Sequence, residues 1–400
     1  MRNFKVTVAA LSAALLVAAC GGGGGSTVSS SAGITSVKVM GDSLSDSGTF
    51  AAIPGYGRLF SVQGTTARNW VEDTAADFGV TGLCNVYQFT GATFVANPTP
   101  GCTNFAVGGS RINNPASAGG AASPQSIVTQ LHAAAAAVTY KASDLVLIDG
   151  GGNDAADLVT AYLGVNPSTG AGVAAYSALL SSVLSPSLVT TTLATGSAGF
   201  ASVGGAYMTT LADNFYAAIQ ANTVGATHVV VLNIPGITNT PRFQMVLNSV
   251  ATAYGGGTAG ATARAQAEGL FKSWIQAFNT ELATKAAGNS SVVVVDAYTT
   301  FNDEIANPAQ YGLTNVTTPA CPMVVNGSGV PVLDSSGLPQ YNFQTCTADA
   351  LSLLVPPTGA TGGANWWKTY LFSDSFHPTP YGYQLVSELV ARSLAQAGWL

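Results

Sequence analysis

Two rhythms of hydrophobic and polar positions alternate along the chain. Short apolar runs end abruptly in small or polar residues: 37–40 before Gly41, 144–149 before Gly150, 228–234 before Pro235, and 291–296. Unbroken apolar runs of this length are expected of strands covered on both faces. A further strand candidate, 104–107, stops at Gly108-Gly109. Between these runs lie stretches with apolar residues at helical spacing. They are 70–78 (Trp70, Ala75, Phe78), 126–137 (Ile127, Leu131), 171–183, 207–222, 261–287 (Leu270, Phe271, Trp274, Phe278, Leu282) and 381–397 (Leu385, Leu389, Val390, Leu394). Strands beginning near Val37, Asn104, Asp144, Thr227 and Ser291, interleaved with helices, predict an α/β fold with a five-stranded parallel sheet. Two stretches exceed what a simple crossover needs, 155–224 and 315–363, and are expected to be insertions. The first reads equally as an apolar lid or as extra packing. The second, rich in Pro, Gly and Thr, reads as a surface excursion.

Composition narrows the function. Only 8% of the 400 residues are charged while 47% are hydrophobic, the balance of a folded chain. The net charge is −6 and there is no Lys/Arg cluster, so the electrostatic footprint of a nucleic-acid binder is missing.

The N-terminus has the layout of an export signal. Arg2 and Lys5 precede an apolar run over 6–19, too short to span a bilayer comfortably. That run ends in Val17-Ala18-Ala19-Cys20, which resembles a lipobox, with Cys20 as the lipid-bearing first residue of a mature lipoprotein. The alternative is an ordinary cleaved signal in which Cys20 is incidental. Residues 1–20 are thus expected to be a lipoprotein signal and 21–35 a flexible Gly/Ser tether, with 36–400 forming one domain. The expected location is the outer membrane or cell surface, held by an N-terminal lipid anchor. Setting Cys20 aside leaves an even set suited to an oxidising compartment. Its pairing is not fixed by the sequence; Cys84 with Cys102 and Cys321 with Cys346 is the expected choice, because each pair brackets one loop-like stretch. No CxxC or Cys/His cluster suggests a metal, and no cofactor is expected.

The candidate chemistry begins at Gly41-Asp42-Ser43, where the first apolar run stops. A serine there would sit at the carboxyl edge of the sheet, the edge at which open α/β sheets bind ligands. A helix starting just beyond it would offer backbone N–H groups to a developing oxyanion. On this tripeptide alone, a loop serine is the simpler account. Gly108-Gly109 reads as a turn or a close approach of backbone. Asn153, after three glycines, would present its amide toward the same edge, or cap a helix. Asp154 reads as structural. Asp374 lies three residues before His377, a spacing at which a carboxylate can orient one imidazole nitrogen while the other faces a nucleophile. His132 and His228 lie on a helix and at a strand start, and read as structural.

With Ser43, the blocks 104–110, Gly151-Gly152-Asn153-Asp154 and Asp374-Ser375-Phe376-His377-Pro378 follow in order, and together they resemble the four signature blocks of the SGNH (GDSL-type) lipases and esterases. Ser45 stands where a Gly-x-Ser-x-Gly elbow would need its second glycine, so an ordinary α/β-hydrolase is disfavoured. The resemblance implies a three-layer α/β/α sandwich with a flavodoxin-like sheet, and cleavage of carboxylic esters. It implies Ser43 as nucleophile, His377 as base and Asp374 as its orienting acid, with Ser43, Gly109 and Asn153 forming the oxyanion hole. The expected partner is an ester substrate, a lipid or short-chain acyl ester. The alternatives left open are a polysaccharide acetyl esterase or an acyltransferase with the same site, and a non-enzymatic lipid- or glycan-binding surface lipoprotein.

Overall fold

A computed structural model of the chain describes residues 32–166, 169–334 and 337–400. The expected signal, Cys20 and residues 21–31 of the tether lie outside the described residues. The end of the expected tether belongs to the folded body instead: Ile34 is buried, and the Thr35 N–H donates to the Ser143 carbonyl at 2.9 Å. An isoleucine placed beside the first strand is better buried than left in water, which ends the tether before residue 35.

The elements follow in the order β1 Ser36–Met40, α1 Trp70–Asp77, β2 Tyr87–Phe89, β3 Phe94–Ala96, α2 Ile127–Ala137, β4 Asp144–Ile148, α3 Gly152–Leu163, α4 Val173–Ser181 and α5 Pro186–Leu193. Then come α6 Ser197–Asn222, β5 His228–Leu232, α7 Pro241–Ala253, α8 Gly257–Ala286, β6 Val292–Val295, α9 Ala297–Ala306, α10 Ala348–Leu353 and α11 Pro380–Gln396. Four strands form one parallel sheet in the order β1-β4-β5-β6, with Val37 opposite Leu145, Val146 opposite Val229 and Val230 opposite Val293. Strand residues split by parity between two cores. Val146, Ile148, Val229 and Val231 pack with α2, α3, α6 and α8; Leu145, Leu147 and Val230 pack with α1 and α11. This two-residue alternation makes the three layers, helices on both faces of a sheet.

The fifth expected strand is reduced to a ladder fragment. Asn104 forms a parallel bridge to Val39, and the Phe105 and Val107 N–H groups donate to Val39 and Gly41 carbonyls at 2.8 and 3.2 Å. It lies on the free edge of β1, so the winding order is the doubly wound 2-1-3-4-5 with a short outer strand. The Asn104 carboxamide explains the shortening: it accepts from the Ala106 N–H and donates to the Ser45 carbonyl, bending the chain away from regular pairing.

Helices α4 to α6 of the first long stretch contribute to the core. Tyr176, Leu180, Val189 and Phe200 of α4 to α6 are buried in the core they share with α8. The second, 315–363, carries a small core of its own around Cys321, Phe343, Cys346, Trp366 and Trp367. Disulfides join Cys84 to Cys102 and Cys321 to Cys346, as suits an oxidising compartment. Among the described residues no helix is long and apolar enough to cross a membrane.

Candidate active site

The doubly wound order reverses direction between β1 and β4, and the loops leaving these two strands open a crevice at the sheet's carboxyl edge. The loop after β1 carries Ser43. Its turn is set by Asp42, whose carbonyl accepts from the Ser45 and Asp46 N–H groups at 3.2 and 3.0 Å while its side chain accepts from Leu44 N–H at 3.0 Å. Gly41 is required by close approach: a β-carbon there would lie 1.8 Å from the Asp149 carboxylate oxygen. Asp149, just after β4, also accepts the Ser45 hydroxyl, which in turn accepts the Trp70 indole N–H at 3.1 Å.

Asp46 ties this turn to the next loop. Its carboxylate accepts from the Gly48 and Thr49 N–H groups, both at 2.8 Å, and from Gly108 N–H at 2.7 Å. Burial pushes it up to about 6 in spite of these bonds. Gly109 follows with φ +77°, a conformation that disfavours any side chain. Asn153 lies in the first turn of α3 and donates to the Ser110 carbonyl at 3.0 Å; its other near acceptor, Asp42, is at 3.4 Å, long enough to be weak. Among the described residues the Ser43 and Gly109 backbone N–H groups have no acceptor.

His377 arrives on the loop before α11. The loop is pinned by Ser373, whose N–H donates to the His377 carbonyl at 2.8 Å, and by Thr379, whose side chain caps α11. The His377 Nε2 lies 2.8 Å from the Ser43 Oγ, and its Nδ1 lies 2.8 Å from the Asp374 Oδ2. The other Asp374 oxygen accepts the Phe376 and His377 N–H groups at 2.7 and 2.6 Å. Burial alone would raise this carboxyl, but attraction to the neighbouring His377 imidazole and these hydrogen bonds hold it below the usual carboxylate range. An ionised Asp374 can only accept, so Nδ1 carries the hydrogen and Nε2 turns its lone pair to the Ser43 hydroxyl. Phe60 and Phe343 flank the imidazole, with ring centroids 5.2 and 5.9 Å away.

The structure thus brings together Ser43, Gly109, Asn153, Asp374 and His377 from loops that span the chain. It places the other two histidines and Asp154 elsewhere. His132 is exposed on α2, and His228 packs on Trp399 at the amino end of β5. Asp154 accepts the Ile112 and Asn113 N–H groups at 3.0 and 2.9 Å, a structural role. Asp296 caps α9. Trp366, Trp367, Tyr370 and Phe372 are core residues of the excursion and its neighbours.

A cavity of about 70 Å³ is lined by Asp42, Leu44, Asp149, Phe376 and Pro378 and by residues of α9 and α11, while Ser43, Gly109, Asn153 and His377 are not part of its lining. Its volume would hold about five waters. Two of its buried acids lie outside the motifs read from the sequence. Asp149 faces Asp42 beneath the serine turn; burial and then the Asp42 charge raise it well above the usual range, and burial raises Asp42 as well. Glu304 lies on α9. In sequence, Glu304 shares a helical face with Ala297 and Phe301, and an acid on an apolar face is the one signal that marked it.

Residues 37–390 match the family described as GDSL-like Lipase/Acylhydrolase. The chain belongs to this family. A GDSL esterase/lipase of Arabidopsis thaliana is 30% identical over 119 residues, 28% of this chain and 24% of that protein. Lipase 1 of Photorhabdus luminescens is 27% identical over 177 residues, 40% of this chain and 23% of the lipase. The chain therefore spans about a quarter of the length of the curated relatives it matches. The crystal structure of an extracellular lipase from Streptomyces rimosus superposes with a TM-score of 0.38 at 16% identity, over 90% of this chain and 99% of that one. Within the GDSL-like family match fall all of Ser43, Gly109, Asn153, Asp374 and His377.

Proposed function

We propose that the protein hydrolyses carboxylic esters through an acyl-enzyme on Ser43. The observation that carries this is the continuous relay from Asp374 through His377 to Ser43, with 2.8 Å at each of its two links. In this reading the Ser43 oxygen attacks the ester carbonyl carbon while its proton passes to His377 Nε2. The tetrahedral oxyanion is met by the Ser43 and Gly109 backbone N–H groups and the Asn153 amide. Collapse breaks the bond to the alcohol oxygen, which takes the proton from His377. Water, deprotonated by the same nitrogen, then attacks the acyl-serine, and the acid leaves as Ser43 recovers its proton. A second alcohol in place of water would give acyl transfer at the same atoms.

Ser43→Ala is expected to lower kcat on a chromogenic short-chain ester by about four orders of magnitude or more, with the fold retained by circular dichroism. It should also abolish covalent labelling by a fluorophosphonate. Turnover at the wild-type rate would reject the assignment, and absence of labelling in the wild type would favour the binding-protein alternative. The membrane association is proposed separately, through a lipid on Cys20. What supports it is the lipobox-like Val17-Ala18-Ala19-Cys20 followed directly by glycines. Metabolic labelling with a fatty-acid probe that is unchanged in Cys20→Ser would exclude it.

A further inference from the structure

When His377 takes the Ser43 proton it becomes a cation where water is scarce, since its side chain is only 13% exposed. Nδ1 meets Asp374 and Nε2 meets Ser43, and the rings beside the imidazole are three phenylalanines. Phe343 and Phe376 stand nearly perpendicular to it, at 78° and 83°. Phe60 lies closer to parallel, at 33°, with the centroids 5.2 Å apart. Rings side by side in one plane would collide at that separation, so the imidazole rests against the phenyl face. Several devices fix this contact. A β-carbon at Gly108 would lie 2.3 Å from Phe60 Cζ, so the ring seats on the backbone directly before Gly109. Phe50, Tyr56 and Phe343 meet the same ring at near right angles, with centroids 6.0, 6.1 and 6.0 Å away. Gln63 closes the loop, accepting from Arg58 N–H at 2.8 Å and donating to the Leu59 and Ser61 carbonyls at 2.8 and 2.6 Å. The Ser61 hydroxyl donates to the Pro378 carbonyl at 2.8 Å, which joins this loop to the one that carries His377.

A phenyl face carries negative charge density and attracts a cation, most strongly where water is excluded. An aliphatic side chain in the same place would cover the imidazole without attracting its charge. We propose that Phe60 is a positioning residue that stabilises the imidazolium form of His377 through its ring face, supporting the charge that develops as Ser43 attacks. This rests on His377 acting as the base for Ser43. The charged and titratable groups that face the imidazole or its acid are Asp374 at Nδ1, Asp42 of the serine turn, Tyr341 and Tyr383 beside Asp374, and Arg242 over the Phe376 ring. All of these are retained when only the Phe60 ring is altered.

The test replaces Phe60 with leucine and, separately, with 3-fluoro- and 2,3-difluorophenylalanine, whose fluorines can sit on the ring edge away from Gly108. The His377 titration is followed by NMR in the folded protein, with His132 and His228 as internal references. The acid limb of kcat/KM on a short-chain ester is measured beside it. Phe60→Leu is expected to move the midpoint down by about 0.5 to 1 pH unit, and to lower kcat by up to the same factor, about 3- to 10-fold. The fluorinated rings keep the packing and weaken the face charge, so they should fall between wild type and leucine in the order of their fluorine count. A side chain that merely covered the imidazole would act in the reverse sense, since its loss admits water and moves the midpoint up. A midpoint unmoved or raised in Phe60→Leu, or fluorinated rings indistinguishable from phenylalanine, would each overturn the proposal. The fluorinated series decides it even if Phe60→Leu does not fold. Failure of the parent reading looks different, since the wild type would then turn over no ester while the NMR midpoint still reports on the ring contact.

Discussion

Each site residue is defined by which of its atoms are already engaged. One Asn153 amide hydrogen is held by the Ser110 carbonyl at 3.0 Å, and the other has only Asp42 at 3.4 Å, so the amide is fixed in direction yet free to donate once more. Asn153→Ala is therefore expected to lower kcat by roughly 100- to 1000-fold with little change in KM, measured on a short-chain ester. A loss confined to KM would make Asn153 a binding group only. Asp149 behaves in the opposite way. An amide is nearly isosteric and keeps an acceptor for the Ser45 hydroxyl, so Asp149→Asn should retain most of the thermal stability, whereas Asp149→Leu removes that acceptor and should destabilise. Ser43, Gly109, Asn153, Asp374 and His377 were legible because each sits in a contiguous polar motif where an apolar run ends. Asp149 and Glu304 were not, since the protonation of one depends on Asp42 across the strand pair, and the burial of the other depends on α11.

At the scale of elements, unbroken valine and leucine runs made the four central strands plain, because both faces of each strand are covered. The edge segment at 104–107 read as a full strand for the same reason, but the Asn104 side chain competes for the backbone and leaves a single bridge to β1. Helix α6 begins at Ser197, ahead of the expected residue 207, because Gly204 interrupts the pattern. That glycine is a packing device, since a β-carbon would meet the Trp274 ring at 2.4 Å where α6 crosses α8. The excursion over 315–363 has no periodicity to read, yet it bears on the site through Phe343 beside His377, and it is closed by Cys321–Cys346 across 25 residues. Loop-closure entropy gives that bridge about 3 kcal/mol. The Cys321→Ser, Cys346→Ser double variant is expected to lose about that much in urea unfolding and to show a several-fold lower kcat. An unchanged unfolding midpoint would mean that the small core around Trp366 holds the excursion unaided.

For the whole molecule, the scarcity of charge makes the few buried carboxyls govern how stability changes with pH. Asp46 and Asp154 are both pushed up to about 6, from an ordinary value of 3.8, by burial that their hydrogen bonds only partly offset. A carboxyl raised on folding binds its proton more tightly in the native state. Between pH 4 and about 6 the native protein therefore carries more protons than the unfolded chain, and stability falls as pH rises. Each of these two groups is worth on the order of 3 kcal/mol over that interval. Asp374 has the opposite sign, but its contribution is lost only as pH falls below 3.8, through its depressed value. His228, lowered by partial burial, also opposes, as a single half-buried group. The sum predicts a urea midpoint higher at pH 4.5 than at pH 7.5 at constant ionic strength, the reverse of ordinary acid denaturation, and a smaller difference between the two pH values in Asp46→Asn. A midpoint that rises from pH 4.5 to 7.5 would mean that hydrogen bonding outweighs burial at Asp46 and Asp154. The loop that carries Gly108 and Gly109 would then be held by a carboxylate ionised throughout this range.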